Sequence, residues 1–562
     1  MTASEATGVD ASKIIDVAVV GGGVSGTYIG WRLATSLKYE KVHLYELSDR
    51  IGGRLLSVPM PEMPHVIAEF GGMGFLGCQE IVSQLVTHLN IPTKPFPVGS
   101  PNNLYYLRGK HLYQTPEDIT DPTKVPYNLR QDEQGINPGE LTTKAFLQLI
   151  PELKNIQPGE QASLEKWQQL RETWQIDGQY LYNMGLWELL LKALSHEAYK
   201  FSADTDGYFS YYGTWNAAQA IEVQMINPGL KSRDAWNDAK TLQQGYQKLP
   251  ETLATEFQKH NGQIHLQHRL ISFAPHNNSK NPLLKLTFED RTQKHQITVF
   301  AKHLILAMPK RSLELLDQNN FFFQNPQLRR NLQAVSTDPA FKLFLCYPYP
   351  WWRNLNIQDG TSITDLPIRN CFYFGTEGEQ TGATSPLPEN MNSLMMASFT
   401  DGAVTDFWQA MKYESQFPQR RRLFRKSETI KPLLTTFLKA DGSAYTEHLQ
   451  ASENMVFTAQ QQLKELHNLT DLPTPYAAFY LDWTKDPYGG AWHTWNPLCK
   501  PWEIIPQIRR PLPEQNIYIC GDCYSNVQGW VQGALNSAER VLQDHFKLTW
   551  PDWLNKNYQL GP

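Results

Sequence analysis

Three glycines at positions 21, 23 and 26 stand where an apolar run turns into a helix-forming stretch: Asp16-Val-Ala-Val-Val-Gly21-Gly-Gly23-Val24-Ser25-Gly26. The G-x-G-x-x-G spacing answers three demands. Gly21 admits a tight turn, Gly23 lets backbone N–H groups approach a pyrophosphate, and Gly26 lets helix pack on strand. The helix start, with Val24 and Ser25, then meets the phosphates with its positive dipole end. Glu46 closes the next strand, 20 residues past Gly26 and just before Leu47. A carboxylate there accepts hydrogen bonds from a ribose hydroxyl. Strand, turn, helix and acid together predict a dinucleotide site.

Two further glycine clusters follow, Arg50-Ile-Gly52-Gly53-Arg54 and Glu69-Phe-Gly71-Gly72-Met73. The first resembles the glycine doublet of FAD-dependent amine oxidases. In that family the doublet backbone lies against the flavin side of the cofactor and the arginine touches its phosphates. Arginine suits this because its planar fork pairs with phosphate bidentately. At the other end of the chain, Asn516-Ile-Tyr-Ile-Cys520-Gly521-Asp522 is an apolar strand ending in Gly-Asp, and Gly529-Trp530-Val531-Gln-Gly533-Ala534 opens a helix reaching Phe546. That order places Asp522 at a ribityl hydroxyl and the helix N-terminus near the flavin pyrimidine, where its dipole favours anionic charge.

With both ends in view, the chain from about residue 14 to 546 resembles the flavin-containing amine oxidases, and among them the L-amino acid oxidases. The resemblance implies FAD and oxidative deamination of an L-amino acid by dioxygen, giving a 2-oxo acid, ammonia and hydrogen peroxide. Amine or polyamine oxidases, flavin amino-acid 2-monooxygenases and a catalytically inactive flavoprotein share the pattern and remain alternatives. Thr364-Asp-Leu-Pro367-Ile-Arg369-Asn-Cys-Phe-Tyr373 is similar to a stretch that contributes a substrate-binding tyrosine, so Tyr373 is the expected partner of the substrate carboxylate and Trp530 the aromatic wall beside the flavin. Lys342 interrupts an apolar strand, where a buried unpaired cation costs several kcal/mol. The family has a lysine there that assists the reaction with oxygen.

Tyr488-Gly-Gly-Ala491-Trp492-His493 resembles the stretch beside the flavin's dimethylbenzene ring. Monoamine oxidases carry a flavin-linked cysteine there. The matching Ala491 implies dissociable FAD, with Trp492 flanking the flavin or the substrate. His493 is a candidate pocket base or a core histidine. One position departs from the family: Gly74 stands where many L-amino acid oxidases have an arginine that clamps the carboxylate. Arg353 and Arg369 are the candidate substitutes.

The elements that must position these groups are an α/β, Rossmann-like FAD-binding domain drawn from residues 14–76, 241–330 and 480–548, an α+β substrate-binding domain from 77–125 and 331–479, and a mainly helical subdomain at 126–240. Leu270, on a strand of the first domain, is a further cofactor-side candidate. Residues 100–160, rich in proline, are expected to be loops and short helices. Length alone, 562 residues, suggests about three to four domain-sized units.

Net charge is −5, which offers no basic field for nucleic acid. Arg420, Arg421, Arg422 and Arg425 read as a solvated face. No stretch approaches the roughly 20 apolar residues of a membrane span, and residues 1–13 do not read as a secretion signal, so a cytoplasmic setting is expected. Six scattered cysteines do not make a disulfide framework, and Cys520 and Cys523 lack the second pair a zinc site needs. No metal is expected. The partners are a small amino acid or amine and dioxygen. A homodimer is the commonest closed assembly, and the sequence leaves oligomeric state open.

Overall fold

Ile14–Val20 runs parallel to Val42–Tyr45 on one side and to the second half of His295–Leu306 on the other. The computed structural model describes residues 14–96, 98–157, 161–226, 236–276, 283–380, 390–412, 434–439 and 443–562. The basic cluster at 420–425 lies outside them. Gln263–His265 extends the sheet beyond Val42–Tyr45, and Ile517–Ile519 pairs in parallel with His295–Leu306. The last strand is bifunctional. Its first half pairs antiparallel with Leu283–Asp290, which pairs in turn with His268–His276. Its exposure falls along its length from the antiparallel to the parallel half, because parallel strands are covered on both faces.

Helix Val24–Thr35, ten of whose twelve residues are buried, packs between Lys248–Lys259 and Val531–Val541. The N-terminal glycine motif and the C-terminal Gly-Asp block thus share one core.

A second sheet has the order 477–482, 340–347, 393–401, 370–376, 361–364, 104–107, 110–113, antiparallel except where 361–364 meets 104–107. Strands Ala340–Tyr347 and Ser393–Asp401 are buried throughout. Alternation sorts their side chains. Phe341, Leu343, Leu345 and Tyr347 pack against helix Glu453–His467. Ala340, Lys342, Phe344 and Cys346 take the other face, where Ala340, Phe344 and Cys346 join Phe372, Phe399 and Met396 in a separate core.

Residues 161–226 are largely helical, and Leu186, Leu189, Leu190, Ala193 and Leu194 are buried in a core of their own. The expectation of loops and short helices over 100–160 needs correction. Leu104–Leu107 and Lys110–Tyr113 form a hairpin at the edge of the second sheet. Its two-residue turn, Arg108-Gly109, has φ of 49° and 77°, the doubly positive geometry that matches strand twist. The flanking prolines hid it.

Candidate functional site

One cavity of about 950 Å³ runs between the two sheets and the helical region, at the upper end of the range for small-molecule sites. Except for Gly26, every residue assigned above to the cofactor lines it, from Gly21 through Leu270 to Ala534. Gly26 sits beneath the turn. A Cβ there would come within 1.9 Å of the Gly21 carbonyl oxygen, so the helix approaches as closely as it does only because position 26 has no side chain.

At one end of the cavity Glu46 accepts hydrogen bonds from the Gly22 N–H (2.6 Å) and from the Ser48 N–H and hydroxyl (2.8 Å each). These orient a carboxylate that still has lone-pair capacity facing the cavity. Farther along, Arg54 pairs with Asp522 and donates to the Ala491 carbonyl at 2.9 Å. Burial opposes ionisation of Asp522, but the Arg54 guanidinium outweighs it and holds the carboxyl below its usual range. The N-terminus of Val531–Val541 opens beside this pair, with the Gly529 N–H 3.4 Å from Asp522 Oδ2.

Past this pair the lining turns aromatic. Tyr208, Tyr211, Tyr212 and Trp215 come from the helical region, Phe372 and Phe399 from the second sheet, and Trp492 and Trp530 from the C-terminal part. Trp492 stacks on Tyr211, with centroids 6.3 Å apart, and Trp530 contacts Trp236. Among the described residues, Asp206 and Glu140 are the carboxylates of this chamber.

Lys342 stands on the cavity wall and is 2% exposed. Its ammonium donates to the Glu69 and Gly71 carbonyl oxygens at 2.9 and 2.5 Å and lies 4.5 Å from the centre of the Phe399 ring. Burial pulls its pKa down to about 7, against the pull of the Glu69 carboxylate, while burial pushes Glu69 up to about 7.

Several expected substrate residues do not reach the cavity. Tyr373 follows Phe372 on a strand, so it points to the opposite face. There its hydroxyl donates to Ser362 Oγ and meets His467 Nε2, each at 2.7 Å. Arg369 is fully buried against Asp204 and over the Phe209 ring, and Arg353 pairs with Glu379 at 2.8 Å. Neither substitutes for the missing clamp in this arrangement. Gly74 does line the cavity, but a Cβ there would lie 2.4 Å from the Lys240 carbonyl oxygen. This backbone admits no side chain at 74.

The model of the flavin containing amine oxidoreductases matches residues 33–544. The chain belongs to this family. It is 26% identical over 556 residues to Aplysianin-A of Aplysia kurodai, covering 95% of this chain and 91% of that protein. It is 21% identical over 474 residues to the L-amino-acid oxidase of Sistrurus catenatus edwardsii, covering 81% and 84%. Among solved structures, wild-type putrescine oxidase bound to putrescine superposes with a TM-score of 0.62 at 14% identity, over 95% of this chain and 99% of that one. That last likeness speaks for the fold alone.

A flavin amine oxidoreductase of this family needs a place for its cofactor, and the residues present fit one. The glycine turn, Glu46, the Arg54–Asp522 pair and two helix N-termini lie along a single cavity. Among the described residues no group of His, Cys, Asp and Glu is arranged to hold a metal ion, and no helix is long and apolar enough to cross a membrane. All six cysteines, Cys520 and Cys523 included, are free thiols, and none lines the cavity.

The aromatic residues of the helical region were not among the candidates expected from the sequence. Their signal was present: Tyr208, Tyr211, Tyr212 and Trp215 recur at helix-like spacing. Spacing could not say that this face meets a cavity rather than a core.

Proposed function

We propose that the protein is an FAD-dependent L-amino acid oxidase whose FAD is held without a covalent bond. The observation that carries this reading is the continuity of the cavity: a dinucleotide cradle opens into an aromatic chamber, with buried Lys342 on the shared wall. When bound, FAD accepts two electrons from a C–H bond beside an amine and returns them to dioxygen.

The chain's own residues have three tasks. Glu46, Arg54 and Asp522 fix the cofactor along the cavity. Trp492, Trp530, Phe372 and Phe399 exclude water and hold the carbon bearing the amine, while Tyr208 and Tyr211 present phenol groups to the polar end of a substrate. Lys342 supplies a cation in a dry place where negative charge passes to oxygen. The absence of cysteine from the wall supports a dissociable cofactor. Dissociation of yellow flavin on denaturation tests this; flavin retained on peptide would refute it.

A second reading is oxidation of amines without a carboxylate. It is favoured by one observation: among the described residues the arginines on the wall, Arg54 and Arg269, belong to the dinucleotide end, while the aromatic chamber holds Asp206 and Glu140. Incubating the protein with L-amino acids, primary amines and polyamines, and measuring peroxide and products, separates the two. Turnover of amines but not of any L-amino acid would overturn the first reading.

A further inference from the structure

His493 lies on Trp492–Trp495, which pairs antiparallel with Val335–Asp338 and sets His493 opposite Thr337. It is 1% exposed and lines the cavity, yet neither ring nitrogen has a hydrogen-bond partner. The other buried histidine among the described residues is treated differently. His467, 3% exposed, has Nδ1 on the Leu463 carbonyl and Nε2 on the Tyr373 hydroxyl, each at 2.7 Å. A buried polar atom left unpaired costs about 1–3 kcal/mol, so an imidazole kept only for packing would be satisfied as His467 is, or replaced by an apolar ring. Its cavity position says where a partner must come from.

We propose that His493 is a hydrogen-bonding ligand of the flavin end of the cofactor, the ribityl chain and isoalloxazine ring, and not of its adenosine end. This rests on the FAD reading above. Two placements select the flavin end. His493 is two residues from Ala491, whose carbonyl receives Arg54, and its charged neighbours are Arg54, Asp522 and Lys310. The adenosine end is marked instead by Glu46 and Ser48. Burial, reinforced by Arg54, takes the imidazole pKa down to about 3. His493 is therefore neutral at working pH, with one nitrogen donating and the other accepting. Such a group matches hydroxyls or a ring edge carrying both donors and acceptors. It contributes recognition without adding a charge that would compete with Arg54 or Asp522.

The test compares full-length wild-type protein with H493F and H493N, each stripped of cofactor and titrated with FAD and with ADP, which lacks the flavin end. The expected H493F result is FAD binding weakened about tenfold, the scale of one or two lost hydrogen bonds, with ADP binding unchanged. Its apoprotein should melt no lower than wild type, because two unpaired polar atoms have gone. H493N should recover part of the affinity and shift the flavin absorption bands. H493F that binds FAD as tightly as wild type, with an unaltered flavin spectrum, overturns the proposal. Should H493F not fold, H493N decides alone: unchanged affinity and unchanged bands overturn it. Wild-type protein that takes up no FAD would instead sink the FAD reading, and this inference with it.

Discussion

At the dinucleotide end of the cavity, contacts come from short stretches whose residues sit close together in the chain: Gly21 and Gly23 to Ser25, Glu46 to Ser48, Gly52 to Arg54, Gly521 and Asp522. At the aromatic end the large side chains come from more widely separated elements: Asp206, Tyr208, Tyr211 and Tyr212 from the helical region, Phe372 and Phe399 from two strands of the second sheet, and Trp492 and Trp530 from a strand and a helix start in the C-terminal part. The first end binds a ligand of constant shape, and backbone N–H groups with a few charges suffice. The second must fit the substrate, and its shape is the sum of packing decisions made across the whole fold.

If that contrast is right, substitutions at the two ends should fail differently. The largest effect is expected from Gly26→Leu. A side chain against the Gly21 carbonyl must push the helix from the strand, at a cost of several kcal/mol. The variant should be purified colourless or not at all, and normal flavin content would break the account of the cradle.

Next is Lys342→Met. Loss of the cation should slow the reaction of reduced protein with oxygen by about 100-fold, while anaerobic reduction by substrate changes only a few-fold. The wild-type oxygen rate should fall as pH rises through about 7, because the Lys342 ammonium loses its proton there; stopped-flow measurements across pH check both. A wild-type rate flat from pH 5 to 9 would remove Lys342 from the oxygen step.

A smaller effect, confined to the aromatic end, is expected from Asp206→Asn. The carboxylate on the chamber wall should favour substrates with a second positive charge, so kcat/KM for these should fall about tenfold, the size of one charge-assisted contact, with the flavin spectrum unchanged. An equal fall for neutral and cationic substrates would show that Asp206 supports the fold and not selection.

The smallest kinetic effect belongs to Tyr373→Phe. Its hydroxyl is committed to Ser362 and His467 on the far face of the sheet. Thermal unfolding should show a loss of about 1–2 kcal/mol, with kcat and KM within threefold of wild type. A tenfold rise in KM would reinstate the tyrosine as a substrate contact and blur the boundary between the two ends.

The two faces of strand Asn370–Thr376 explain why the second half was harder to read. A resemblance in sequence aligned the right strand, but an alternation of one residue separates Phe372 in the cavity from Tyr373 in the opposite core. Arg369 illustrates the same difficulty. Its neighbours in sequence gave no sign of Asp204, 165 positions away, which holds it in the interior. The Arg108-Gly109 hairpin was not legible, because arginine is not a residue that favours the positive φ the turn requires and prolines lie on both sides of it.

Local chemistry by itself determined the dinucleotide cradle, because glycine, helix start and carboxylate act over a few residues and leave a spacing that survives any tertiary detail. It also determined that Lys342 stands out, since a lone cation in an apolar strand is conspicuous wherever it packs. Only the tertiary structure decided which face of each strand meets the cavity, that position 74 is closed by the Lys240 carbonyl, and that His493 is buried with both nitrogens unpaired. Those outcomes depend on what lies across the gap, and contacts between residues hundreds of positions apart leave no periodicity in the chain.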